Sequence, residues 1–150
     1  MKAVDFLTKE ERLRIEAAIG AAERDTSGEI RIHIERKCSS DPRERALRSF
    51  HFLGMTGTAA RNAVLIYVAC ESRKFAVLGD KGINEAVPAG FWKDVCALLA
   101  ETFAAGRQAE GLERAVTLVG EKLKAFFPYR PDDVNELPDE ISFGEDEEED

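Results

Sequence analysis

Cysteine and histidine are scarce in this 150-residue sequence, which limits the metal and redox chemistry it can carry. The three cysteines, Cys38, Cys70 and Cys96, are far apart and odd in number. Such a set indicates buried, reduced thiols rather than a disulfide framework or a zinc knuckle. His33 and His51 have no partner at the spacing of structural metal sites, so both are expected to be packing or surface residues.

Long apolar runs are also absent. No run approaches the length needed to cross a bilayer, and the N-terminal residues lack the sustained apolar region of a signal peptide. We therefore expect a cytoplasmic protein without a membrane anchor or a transmembrane segment.

The usual marks of a covalent enzyme or a nucleic-acid-binding protein are missing as well. There is no Cys-x5-Arg loop, no Gly-x-Ser-x-Gly elbow and no Walker lysine, so no catalytic nucleophile is visible. There is no basic stripe with interleaved aromatic residues either. Nucleic acid is therefore not an expected partner, because its phosphate backbone would meet no basic footprint.

Charge is unevenly distributed along the chain. The net charge is -8, but eleven of the 29 acidic residues follow Pro131, where there is no Lys or Arg. The body before that point has 21 basic and 18 acidic residues, a net charge of +3. A mostly acidic segment repels itself and has little apolar surface to bury. The sequence thus predicts one α/β domain at residues 1–128 and an acidic, disordered tail at residues 129–150.

Two apolar runs joined by a short polar turn are the strongest structural signal. Residues 63–70 are apolar throughout, as in a strand covered on both faces, and residues 75–78 follow a polar reversal at residues 71–74. This pattern predicts an antiparallel hairpin at the centre of a sheet.

The rest of the chain predicts one more strand and several helices. Residues 29–35 alternate between polar and apolar, which indicates a half-buried, lateral strand. Helices are predicted after Thr8, after Asp41, and in two segments between Phe91 and Phe126. The strand, a crossover helix and the hairpin make a β-α-β-β core. The predicted architecture is an α/β/α sandwich with a small mixed β-sheet flanked by about four helices.

Four polar residues are expected at one end of this sheet. If the first two strands are parallel, Glu29 lies at the same edge as Arg61 and Asn62, and the hairpin returns Asp80 to it. Arg73 belongs to the opposite end of the hairpin and is not expected to share a pocket with Arg61.

Each of these side chains has a chemical and a structural interpretation. Asp80 can coordinate a hard cation such as calcium, or its carboxylate can bond the backbone of a glycine-rich turn. Glu29 is the second candidate carboxylate, or a solvated edge charge. Arg61 can hold a phosphoryl oxygen, with Asn62 as an amide donor, or it can pair with a helix carboxylate. Trp92 can line a pocket or belong to the core.

Several motifs, taken in order, resemble the TPM-domain family. They are residues 26–30 at the first strand, 61–65 at the second and 73–83 at the third, followed by Phe103, Gly106, Gly111 and Leu112. The resemblance covers roughly residues 8–127. Two features depart from it: the signal peptide and membrane anchor common in the family are missing, and Ala63 follows Asn62 where many members have glycine.

The resemblance implies an α/β/α sandwich and an activity. A plant thylakoid-lumen member is described as an acid phosphatase with bound calcium, whereas many bacterial members are biochemically undefined. On this interpretation Asp80 and Glu29 hold Ca²⁺ or Mg²⁺, and Arg61 and Asn62 steady the phosphoryl group of a phosphorylated substrate. Asp132 and Asp133 would add metal oxygens.

A second function stays open beside the metal-assisted phosphatase. The chain can be a non-catalytic protein-binding module that docks a protein partner at the same sheet edge or through the acidic tail. The missing nucleophile favours this alternative.

Overall fold

The computed structural model describes residues 2–130 and 137–144. Its five helices over those residues are α1 (Lys9–Glu23), α2 (Pro42–Phe52), α3 (Lys81–Ala86), α4 (Lys93–Ala104) and α5 (Gln108–Phe126). Its four strands are β1 (Glu29–Glu35), β2 (Ala63–Ala69), β3 (Lys74–Gly79) and β4 (Ser142–Phe143).

The sheet is mixed, with the strand order β3-β2-β1-β4. β1 and β2 are parallel, because α2 carries the chain back between them, and β2 and β3 form the antiparallel hairpin. Every residue of β2 is buried, as its unbroken apolar sequence predicts. The predicted α/β/α sandwich with a mixed sheet is confirmed.

The two faces of the sheet bury two separate cores. Ile30, Ile32 and Ile34 of β1 pack, with alternate residues of β2, against α1, α4 and α5. The opposite face of β2, including Leu65 and Tyr67, packs against α2. This arrangement follows from the two-residue repeat of a strand, which sends successive side chains to opposite faces.

Two helices begin as their sequences predict. Thr8 and Glu11 form a reciprocal capping box at α1, with distances of 3.1 and 2.8 Å between the side-chain oxygens and the backbone nitrogens. Asp41 accepts a hydrogen bond from the Arg43 N–H at 3.0 Å ahead of α2, whose first residue is Pro42. These bonds satisfy amide groups that have no partner inside the helix.

The C-terminal strap, residues 137–144, corrects two expectations. The sequence predicts disorder from residue 129 and a lateral β1, but β4 within the strap pairs with β1 in parallel. β1 is therefore an inner strand, and five of its seven residues are buried.

The strap is held by backbone amides as well as by apolar burial. Leu137 N–H donates to Glu29 and Ile141 N–H donates to Glu16, while Ile141 is only 6% exposed. A few apolar residues among many acids are thus enough to order the strap, because acceptors on α1 and β1 bind its N–H groups. Residues 131–136 of the predicted tail, which include Asp132 and Asp133, and residues 145–150 lie outside the described residues.

Within the described part of the chain, no helix has the length and apolarity required to span a bilayer.

Candidate functional site

The four candidate residues lie at one end of the sheet, as the sequence predicts. β1 and β2 begin there, with Glu29 opposite Ala63, and β3 ends there. Asp80, just past β3, donates its N–H to the Ala63 carbonyl oxygen at 2.9 Å. We call this end, made by Glu29, Arg61, Asn62 and Asp80, the rim.

Arg61 and Asp80 form a two-pronged ion pair. The Arg61 Nε and one terminal nitrogen donate to the two carboxylate oxygens of Asp80 at 2.6 and 2.8 Å. The Asp80 side chain is only 6% exposed, whereas that of Arg61 is 42% exposed. The hydrogen bond to Asp80 raises the pKa of Arg61 above its ordinary value. Parallel bonds of this kind are among the strongest side-chain pairs.

Asp80 also begins a helix that the sequence does not predict. Its carboxylate accepts a hydrogen bond from the Lys81 N–H at 2.7 Å and caps α3. The glycine-rich corner expected to be a turn is therefore the first turn of a six-residue helix. Gly82 is required there, since a Cβ atom at this position would lie 2.2 Å from the Ala60 carbonyl oxygen.

Asn62 has a structural role at the rim. It is 2% exposed, and its side-chain amide donates to the Ser27 carbonyl oxygen at 3.2 Å. Its backbone N–H donates to the Thr58 hydroxyl oxygen at 3.2 Å. Asn62 therefore connects the segment before β2 to the start of β1. Its side-chain amide already donates to Ser27, and its backbone N–H already donates to Thr58.

Glu29 and Asp80 are not neighbours. β2 lies between them, so their backbones are about 10 Å apart, which is two strand spacings. Glu29 is 3% exposed and accepts the Leu137 N–H, while Asp80 binds Arg61 and Lys81. These carboxylates, as they are arranged, do not fit a shared cation. Over residues 2–130 and 137–144, no group of three or more Asp, Glu, His or Cys side chains is arranged to hold a metal ion.

A groove of about 700 Å³ opens beside the ion pair. It follows the end of β3 between α2 on one side and α3 with Trp92 on the other. Its apolar walls include Leu47, Phe50 and Trp92, and Arg61 and Asp80 form part of its lip. We call it the rim groove.

Comparison with known proteins places the chain in a family. The model of the TPM domain matches residues 1–122. The chain belongs to the TPM domain family. This confirms the family that the ordered motifs predict.

Two solved structures are similar to this TPM domain. The NMR structure of the BA42 protein from the psychrophilic bacterium Bizionia argentinensis is 43% identical, with a TM-score of 0.88 over 93% of this chain and 97% of that one. The N-terminal domain of the cg2496 protein from Corynebacterium glutamicum has the same fold, with a TM-score of 0.62 at 14% identity over 78% and 74% of the two chains. None of the curated proteins matches the chain.

The sequence alone did not reveal the α2 wall of the rim groove in this TPM domain. Leu47 belongs to the apolar pattern of α2, yet it is 52% exposed because it faces the groove rather than the core. The signal for this wall in the sequence was that α2 has more apolar residues than the sheet can cover. Trp92, which the sequence left between pocket and core, lines the groove and is also partly buried against the core.

Sequence reasoning also missed a buried polar network on β1 of the TPM domain. The two His33 ring nitrogens lie 2.6 Å from the Ser142 hydroxyl and 3.3 Å from the Glu35 carboxylate, which accepts the Tyr67 hydroxyl at 2.7 Å. Burial would raise the pKa of Glu35, but bonds from His33 and Tyr67, with Arg45 nearby, lower it overall. The hydrogen bond between His33 and Ser142 in this network links the strap to β1.

Glu23 makes the stability of the TPM domain depend on pH. Burial, followed by contact with Asp139 of the strap, raises the pKa of Glu23 from 4.5 to about 9. The folded state then binds a proton that the unfolded state releases, so this group lowers the free energy of unfolding as pH rises from 4.5 towards 9. Glu23→Gln keeps an acceptor for the Ile30 N–H and does not ionise.

We expect Glu23→Gln to flatten the loss of stability between about pH 5 and pH 9 and to be more stable than wild type at the alkaline end. Urea unfolding at several pH values measures this. The exposed Glu121→Gln is the control and should keep the wild-type slope. Parallel profiles for wild type and Glu23→Gln would contradict the account.

Proposed function

We propose that this TPM domain is a non-catalytic protein-binding module whose rim groove takes an extended segment of a partner protein. The observation that carries the proposal is an open groove with apolar walls and a lip charged in both signs. Ligand sites of this kind commonly combine an apolar surface with a few placed polar groups.

The apolar walls supply the affinity. Leu47, Phe50 and Trp92 line the groove, and of the two α2 residues Leu47 is exposed and Phe50 is buried. A partner side chain inserted there would remove apolar surface of both proteins from water, which is the main driving force of association. Aromatic anchors in such pockets often dominate the binding energy.

The lip favours a protein over a small anion. Arg43 and Lys81 are exposed on it, but so are Asp41, Glu44 and Glu85. A ligand with one charge sign would meet repulsion as well as attraction. A peptide carrying charges of both signs around an apolar residue can match the pattern, and such complementarity sets specificity.

The arrangement of the rim supports binding rather than catalysis. Both oxygens of Asp80 bind Arg61, and the amide of Asn62 binds Ser27. The Arg61 guanidinium gives Nε and one terminal nitrogen to Asp80, which leaves only part of its fork for a ligand. The ion pair then acts as a rigid wall of the groove.

Selection from a displayed random 12-residue peptide library tests the proposal. We expect wild type to enrich peptides with an apolar residue between opposite charges, and Leu47→Arg to weaken them at least about tenfold, or roughly 1.4 kcal/mol. Leu13→Arg is the control, because Leu13 is 57% exposed on α1, outside the groove. Equal enrichment by Leu47→Arg and wild type would contradict the proposal.

A second candidate is the metal-assisted phosphatase that the family resemblance implies. The exposed part of Arg61 at the groove lip favours it, since a guanidinium can hold a phosphoryl oxygen. Binding of Ca²⁺ or Mg²⁺ would require Asp80 to exchange Arg61 for the cation. Turnover of an aryl phosphate that depends on Asp80 and on added cation would establish this candidate in place of the first.

A further inference from the structure

A second cavity opens at the other end of the sheet, beside the turn between β2 and β3. Its volume is about 560 Å³, and its walls come from the N-terminal segment, this turn, and α4 with the start of α5. None of the rim residues lines it. We call it the hairpin cavity.

Three aromatic rings line part of the hairpin cavity. The ring of Phe103 lies edge-on to the rings of Phe75 and Phe6, with centroid separations of 5.7 and 6.0 Å. Ala100 and Ala104, one helical turn apart on α4, form an exposed side of the opening. Aromatic rings next to small side chains leave an apolar space, and the volume of this cavity is within the range of small-molecule binding sites.

The charge at the hairpin cavity has one sign. Arg73 and Lys74 line it, and no Asp or Glu does so among the residues that the structure describes. The Lys74 ammonium donates to the Ser40 carbonyl oxygen at 3.1 Å, and the exposed Arg73 is the second cation at the cavity. Burial raises the pKa of the Cys70 thiol in the same wall, so this group stays neutral.

Arg73 has a left-handed backbone conformation. Its φ angle is 55°, in the left-handed region that reverses the chain between the two strands. Arg73, Phe75 and Phe103 all line the cavity, and Arg73 is exposed whereas the two rings are partly buried. A cation therefore sits at the opening of an aromatic space.

We infer that the hairpin cavity binds a small amphipathic anion. Its aromatic or branched apolar body packs against Phe75 and Phe103, and its carboxylate pairs with Arg73. A guanidinium matches a carboxylate through two parallel hydrogen bonds. The hairpin cavity differs from the rim groove in charge, because the lip of the rim groove carries acidic as well as basic residues. This site is independent of the proposed function.

Three naphthalene probes of equal shape test the charge preference. We expect 2-naphthoate to give saturable amide shifts at Cys70, Phe75 and Phe103 of the full chain, and to bind at least about tenfold more tightly than 2-naphthylmethanol or 2-naphthylmethylammonium. No saturable binding of 2-naphthoate, equal affinities for the three probes, or shifts confined to the rim would overturn the inference.

Two pairs of variants locate the site. Arg73→Asn removes one of the two cations at a position where asparagine tolerates the left-handed backbone, and it should weaken the preference for the anion, whereas Arg73→Lys, which retains the charge, should keep more of it. Ala104→Phe should weaken 2-naphthoate about tenfold by filling the opening, and Ala97→Phe, exposed on the same helix outside the cavity, should not. Wild-type affinity and preference in Arg73→Asn, or equal effects of the two phenylalanines, would refute it.

Discussion

Gly82→Ala is expected to destabilise the protein by more than about 4 kcal/mol, among the largest effects of any single substitution. The added Cβ would lie 2.2 Å from the Ala60 carbonyl oxygen and 2.7 Å from that of Arg61. Both neighbours are backbone atoms, so no side chain can rotate away. The Gly82 N–H also donates to the Arg61 carbonyl oxygen at 2.9 Å, and moving the helix start would break this bond.

Urea unfolding of Gly82→Ala and of Gly57→Ala measures the effect. Gly57 lies in the nearby loop, and a Cβ there would meet nothing within 4 Å. We expect Gly57→Ala to stay within about 0.5 kcal/mol of wild type. A Gly82→Ala variant as stable as the control would show that α3 does not pack against the residue 60–61 backbone in this way.

Asp80→Ala is expected to cost about 3 kcal/mol of stability. About 1 kcal/mol follows from losing the cap on α3. The rest, about 2 kcal/mol, follows from losing the two charge-assisted bonds to Arg61, which are 2.6 and 2.8 Å long. Asp80→Asn keeps a capping oxygen but loses the charge, so it should be intermediate in stability.

A double-mutant cycle with Arg61→Asn isolates the ion pair. Arg61 has a φ angle of 51°, a conformation that asparagine tolerates. The combined loss should be smaller than the sum of the single losses, because each single substitution already breaks the same pair. We further expect no aryl phosphatase turnover by the wild-type protein, with or without Ca²⁺ or Mg²⁺. Additive losses, or turnover in wild type that Asp80→Asn abolishes, would contradict it.

Much of the fold follows from local patterns. The hairpin could be predicted because residues 63–70 are all apolar and a short polar turn follows them. The location of the rim follows from the parallel pairing of β1 with β2. The register then brings Arg61 and Asp80 together without further information. What the sequence could not decide was whether Asp80 would face a cation, a turn or an arginine.

The parts that were missed depend on long-range contacts. The strap carries Ile141 and Phe143 in an acidic segment, so composition argues for disorder. The burial of Ile141, the pairing of β4 with β1 and acceptors on α1 and β1 order it, and all of these are long-range contacts. The helical role of Asp80 was hidden because Gly79 and Gly82 read as a turn. The rim groove requires the position of α2 relative to Trp92, which no local pattern encodes.

Mapping a selected peptide onto the ¹⁵N-labelled chain tests the central claim that the rim groove is a docking site. We expect saturable amide shifts at residues 43–51 and 78–85, the segments that contribute most of the lining residues, and the loss of these shifts in Leu47→Arg but not in Leu13→Arg. Shifts centred on the hairpin cavity or the strap, or unchanged shifts in Leu47→Arg, would contradict it.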